Sequence, residues 1–196
     1  MKILVLVLLA SVSFAKPEPT ICKKISTFYP VVKPIVDAMT LEQKVGQMTQ
    51  PDLPQVTTKD GIIDPSQIST YMLGSLLVGG SAVIGPNGEI HADPTNKEQF
   101  KLATMENWRS IAKKLMVPTT VKVGDKEMDI YPLIGTDAVH GNQHVLGEVL
   151  FPHNIGLAAT HNEDVFFEAG YHNGASVKSS GWNYAFAPTV AISHNY

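Results

Sequence analysis

Cysteine and arginine each occur once in the 196 residues, as Cys22 and Arg109. A single cysteine forms no internal disulfide, so the chain is not a disulfide-stapled domain. One arginine leaves no set of planar, bidentate phosphate clamps, and 15 basic against 18 acidic residues exclude a strongly basic nucleic-acid binder. No Asn-x-Ser/Thr acceptor occurs, so N-glycosylation is not expected. Gly79, Gly80, Gly85 and Gly88 form a glycine-rich stretch, but no Gly-Lys-Ser/Thr follows, which excludes a P-loop. Neither Ser75 nor Ser81 stands in a nucleophile elbow. What remains is an ordinary globular composition, 44% hydrophobic and 17% charged.

Only one long apolar run is present, Ile3 to Ala10. It follows Met1-Lys2, and Ser13-Phe14-Ala15 puts small residues at the −3 and −1 positions of a cleavage site. This layout predicts a signal peptide over 1–15. The run falls short of the roughly 18 apolar residues that span a bilayer, so a secreted or lumenal protein with no membrane partner after cleavage is expected. Residues 16–36 then form a lead segment, and 37–196 the folded domain.

Helical and strand-like patterns alternate along 37–196, which argues for an α/β fold with a parallel sheet. Thr40 and Gln43 form a capping box before LEQKVGQM, and Val45 to Gln50 runs towards a first strand stopped by Pro51. Asp64-Pro65 starts a short helix reaching about Met72, and Ser75 to Val78 reads as a buried strand. Thr95 and Glu98 form a second box, predicted to open the longest helix, Asn96 to Leu115, with Phe100, Ala103, Trp108, Ile111 and Leu115 on one face. Residues 119–123 and 126–130 flank Gly124-Asp125 as a hairpin. Tyr131 to Ile134 is a strand ending at Gly135-Thr136-Asp137. Asn162 caps a helix from about Glu163 to Lys178, and Asn183 to Phe186 is the last strand candidate. About four strand–helix units result, whereas a full eight-unit barrel takes about 250 residues.

The densest polar stretch is GTDAVHGNQHVLGEVLFPHNIG, Gly135 to Gly156. In parallel α/β barrels, polar residues just past a strand line the active face, and Asp137 stands at such a place. An ionised carboxylate accepts hydrogen bonds from adjacent sugar hydroxyls, but it could equally cap backbone amides of its own loop. His140 and His144, four apart, would share one face of a helix and could ligate zinc with help from Asp137, His153 or His161. Gly141 and Gly147 speak against a continuous helix there, and the glutamate of an HExxH motif is missing. No metal site and no cofactor are therefore expected. Trp182 and Tyr184, two apart near a strand, would lie on one side of it, either stacking on a sugar or packing in the core.

Four blocks in order carry a resemblance: TLEQKVGQMTQ (Thr40–Gln50), GSLLVGG (Gly74–Gly80), GTDAVHGNQHVLGEVLFPHNIGLAAT (Gly135–Thr160) and YAFAPTVAISHN (Tyr184–Asn195). They resemble the N-terminal barrel domain of family 3 glycoside hydrolases, in the β-glucosidase and exo-glucanase branch. The resemblance implies the N-terminal portion, about four βα units, of a TIM (β/α)8 barrel. It also implies a retaining β-glycosidase acting from the non-reducing end of a β-glucoside or β-glucan oligosaccharide. Retaining enzymes hold a nucleophile and an acid/base carboxyl about 5 Å apart.

By the same resemblance Asp137, in TDAVHG, anchors the outer hydroxyls of the terminal glucose and is not the nucleophile. The family's Trp-Gly-Arg block, its Lys-His pair and its Ser-Asp-Trp/Tyr nucleophile motif have no match here. Arg109 lies in a helical stripe and does not stand in for the sugar-binding arginine. The expectation is thus a chain that holds sugar through Asp137, lacks the catalytic pair, and has the remainder of its own barrel as a partner.

Overall fold

A computed structural model describes residues 25–79, 83–91 and 96–189. The leader at 1–15, Cys22, Ser81, Thr95 and the closing Ser-His-Asn lie outside these residues. Helix α1 spans Ile25–Ala38 and is followed by α2, Leu41–Gln47. The expected capping box starts α2. Gln43 N–H donates to Thr40 Oγ1 at 3.2 Å, and Thr40 N–H donates to Gln43 Oε1 at 3.0 Å, a contribution of about 1 kcal/mol.

The strand expected over Val45 to Gln50 does not form, because α2 continues through Gln47. Gly46 permits this, since a Cβ there would collide with the carbonyl oxygens of Tyr71 and Met72, against which the helix backbone lies. The extended passage comes later and is short. Asp52 bridges Leu77 in parallel, and Leu77 N–H donates to Pro51 O at 3.0 Å.

Helix α3, Ser66–Thr70, is shorter than expected. Pro65 is its N-cap and makes no side-chain cap bond, while Asp64, one residue earlier, accepts from Ser66 N–H at 3.1 Å and from the Ser66 hydroxyl at 2.6 Å. Strand β1, Ser75–Leu77, leads to an antiparallel pair, β2 (Val83–Ile84) and β3 (Ile90–His91). The single helix expected over Asn96 to Leu115 is two, α4 (Lys97–Phe100) and α5 (Met105–Leu115). Thr104 accepts from Asn107 N–H at 3.2 Å and so caps a fresh start. Phe100 is left exposed, while Trp108, Ile111, Ala112 and Leu115 are buried.

The hairpin forms as read, with β4 (Thr119–Val123) and β5 (Lys126–Ile130) joined at Gly124-Asp125. Strand β6 runs Leu133–Asp137, later than expected at both ends. Then come α6 (Asn154–Ala158), α7 (Glu163–Ser179) and β7 (Tyr184–Phe186). Helix α7, with 17 residues, is the longest described. Asn162 caps it as expected, accepting from Asp164 N–H at 3.0 Å.

One parallel sheet organises these parts, in the order β1–β6–β7. Ser75 pairs with Leu133 and Leu77 with Gly135, while Gly135 also pairs with Tyr184 and Asp137 with Phe186. Side chains alternate along each strand. Leu76, Ile134 and Ala185 therefore share one face, and all three join the helix-covered core. Leu77, Leu133, Gly135, Asp137, Tyr184 and Phe186 share the other. Leu133 and Tyr184 are exposed there, so this inner face is the open one.

The centre of the core is an edge-to-face pair, Trp108 and Trp182, with centroids 5.5 Å apart and planes at 65°. This corrects the expectation that Trp182 and Tyr184 share a side. Strand β7 begins only at Tyr184, so Trp182 belongs to the preceding turn and packs in the core. Tyr184 stays on the inner face, edge-on to Phe186. Among the described residues no helix is long and apolar enough to cross a membrane.

Trp108 is 1% exposed. Its replacement by alanine should cost about 3–5 kcal/mol, the usual loss for a buried tryptophan. Urea denaturation followed by circular dichroism checks this; a midpoint equal to wild type would contradict the packing described.

Candidate active site

The segment from Ala138 to His153 crosses the carboxyl end of the sheet, and buried hydrogen bonds at several points fix it. Asn142, 1% exposed, donates through Nδ2 to the hydroxyls of Ser176 (3.2 Å) and Ser180 (3.1 Å), tying the segment to the end of α7. The Trp108 indole N–H donates to His144 O at 2.6 Å, and Leu146 N–H donates to Ala103 O at 2.7 Å. These two bonds tie it to α5 and to the turn before it. Phe151 N–H donates to His140 O at 2.7 Å, and His140 Nδ1 lies 2.7 Å from Phe151 O. Asn173 of α7 donates to Ala138 O. Leaving buried donors unpaired is costly, so this bonding holds the segment in one shape.

Within this frame Asp137 is the last residue of β6, on the inner face, half-buried. Among the described residues none hydrogen-bonds its carboxylate, and it caps no backbone amide of its own loop. A carboxylate at the carboxyl end of a parallel strand, with its lone pairs unengaged, suits a ligand that brings hydroxyl donors.

The histidines do not assemble as helical spacing would have them. No helix forms over His140 to His144. His140 instead stacks with His153, ring centroids 4.0 Å apart. His144 turns the other way and lies against Gly79, just past β1. A Cβ on Gly79 would stand 2.9 Å from His144 Nε2 and 3.1 Å from Cε1, and Gly79 has φ 149°. His161, at φ 51°, sits apart in the turn before α7. No cluster of three or more His, Cys, Asp or Glu side chains placed to hold a metal occurs among the described residues.

Burial pushes the His144 imidazole below its usual range, and the negative charge of Asp137 acts in the opposite direction. Its Nε2 is buried without a hydrogen-bond partner among the described residues. Sequence reasoning missed the seat of His144 on Gly79. The signal available was the glycine pair directly after a buried strand.

A cavity of about 590 Å³ lies elsewhere, between α6, α7, β7 and the Ala138–His153 segment, walled by Phe151, Leu157, Phe166, Val177, Ala185 and Pro188. Neither Asp137 nor His144 lines it. The candidate site is therefore the inner face at the carboxyl end of β6.

Comparison with known proteins gives this geometry a context. Over 164 residues the chain is 29% identical to a lysosomal beta glucosidase of Dictyostelium discoideum, covering 81% of this chain and 18% of that protein. Its fold matches the crystal structure of a variant of an exo-1,3/1,4-beta-glucanase, ExoP, from a Pseudoalteromonas species. The TM-score is 0.60 at 30% identity, over 87% of this chain and 24% of that one. The chain thus spans about a fifth to a quarter of the length of these relatives. The family profile described as the Glycosyl hydrolase family 3 N terminal domain matches residues 40–196, and the chain belongs to that family, with the barrel-type α/β fold of its N-terminal domain.

Proposed function

We propose that this chain is the sugar-holding part of a secreted or lumenal retaining β-glucosidase. The enzyme would release terminal β-D-glucosyl residues from β-glucosides or β-glucan oligosaccharides. Asp137 is its anchor, accepting hydrogen bonds from neighbouring hydroxyls of the non-reducing glucose. The observation that carries this reading is the Asp137 carboxylate at the end of β6, on the inner face, with no described residue bonded to it. Two adjacent hydroxyls match the two oxygens of one carboxylate, which orients a pyranose ring as well as holding it.

The relatives support the substrate class, since one is named a beta glucosidase and the other an exo-1,3/1,4-beta-glucanase. The leader pattern at 1–15 and the lysosomal description of the first relative support a lumenal or extracellular location. Residues 16–36 are the lead segment and 37–196 the barrel portion. No carboxylate among the 196 residues matches the family's nucleophile motif, so these residues by themselves hold sugar without cleaving it. The rest of the barrel is the partner that completes the chemistry.

Isothermal calorimetry with methyl β-D-glucopyranoside tests the anchor. Asp137→Ala should weaken binding about tenfold or more, since each hydrogen bond to a charged group contributes about 1.5–3 kcal/mol. Its melting temperature should match wild type, because no described side chain loses a partner. Equal affinity in the variant would contradict the role of Asp137. An aryl β-D-glucoside should show no hydrolysis above buffer; turnover that Asp137→Ala abolishes would overturn the claim that the chain does not cleave.

A further inference from the structure

His144 and Asp137 reach the carboxyl end of the sheet from different parts of the chain, and the charge of Asp137 acts on the His144 ring. The β1–β6 register runs Ser75 to Leu133, Leu76 to Ile134 and Leu77 to Gly135. Val78 N–H continues it, donating to Gly135 O at 2.7 Å. Carried to the next inward-facing position, this register sets Gly79 beside Asp137. The His144 imidazole occupies the space that a side chain on Gly79 would fill. Its main chain is pinned from behind by the Trp108 indole at 2.6 Å, so the ring has little freedom to leave.

From other elements, Gly79 beyond β1 lies against the ring, Trp108 in α5 bonds the main-chain carbonyl of His144, and Asp137 in β6 acts on the ring through its charge. On its own segment, His140 is engaged with Phe151 O and His153, and Glu148 lies four residues on. Among the described residues, Asp137 is the one charged group that acts on His144. A buried imidazole nitrogen without a partner, within the field of an unengaged carboxylate, can be drawn towards it once a proton arrives.

We propose that His144 is a positioning residue for Asp137: as a neutral ring it leaves the carboxylate free for sugar hydroxyls, and as an imidazolium it draws the carboxylate into an ion pair that competes with sugar. The proposal rests on the reading of Asp137 as the sugar anchor. Burial keeps the ring neutral through the neutral pH range, so the competition develops only below the ordinary histidine range of about 6.5. Sugar affinity therefore falls as the medium becomes acidic.

Two measurements on the full chain test this separately. In the first, the ring ¹⁵N shifts of His144 are followed against pH in wild type and in Asp137→Asn, with no sugar present. The midpoint should move to lower pH in Asp137→Asn, because the attraction that favours the imidazolium is lost. An unmoved midpoint overturns the role of His144. In the second, the affinity for methyl β-D-glucopyranoside is compared at about pH 7.5 and about pH 5. Wild type should weaken by about threefold or more, and His144→Gln should give a ratio near one. Equal pH dependence in the two proteins likewise overturns the role of His144. A shifted midpoint in a chain that binds no sugar overturns the anchor role of Asp137 instead, and the competition with it.

Discussion

A buried indole N–H has to find an acceptor, and in this chain Trp108 finds the carbonyl of His144 at 2.6 Å. Much of the candidate site hangs on that bond. Trp108 is set by the buried stripe of α5 and by its edge contact with Trp182, so its position belongs to the core. The segment after β6, which has almost no regular structure, inherits that position through one hydrogen bond. Asn142 repeats the device on the α7 side, with the hydroxyls of Ser176 and Ser180 as acceptors. A polar loop over a sheet end would otherwise carry unpaired groups in many arrangements; here the buried bonds select one.

The parallel sheet supplies the second constraint. Alternation along β6 sends Ile134 to the helices and Asp137 to the opposite face, and a slip of one residue would reverse both. Because Ile134 is fully buried, that slip is costly, and the direction of Asp137 follows from hydrophobic burial rather than from any bond of its own. The site carboxylate can thus stay unengaged and still be well placed. The same alternation leaves Leu133 and Tyr184 exposed on the inner face, and β7 is paired on one side only among the described strands.

Local chemistry was legible in the sequence wherever a side chain bonds to backbone a few residues away. Thr40 with Gln43, Asn162 before α7, and Gly124-Asp125 between two strands all appear in place. Asp137 was also legible as a polar residue past an apolar strand. The misreadings share a different cause. Helix α2 keeps Val45 to Gln47 because Gly46 lets it lie on the backbone of Tyr71 and Met72, a contact made across about 25 residues. The break between α4 and α5 depends on Thr104, which resembles any other surface threonine until the following turn forms. The seat of His144 on Gly79 links positions 65 apart, beyond the reach of any local pattern. Family resemblance supplied the proposal that Asp137 binds sugar; the sequence pattern alone left sugar binding and loop capping open.

The central claim is that Asp137, at the carboxyl end of β6, is the group to which sugar binds. A crystal structure of the protein soaked with methyl β-D-glucopyranoside tests it most directly. Two adjacent hydroxyls of the ring should each lie about 2.5–3.0 Å from an Asp137 oxygen, the usual range for O–H···O bonds. A sugar seated elsewhere on the molecule, with the Asp137 carboxylate untouched, would contradict the claim.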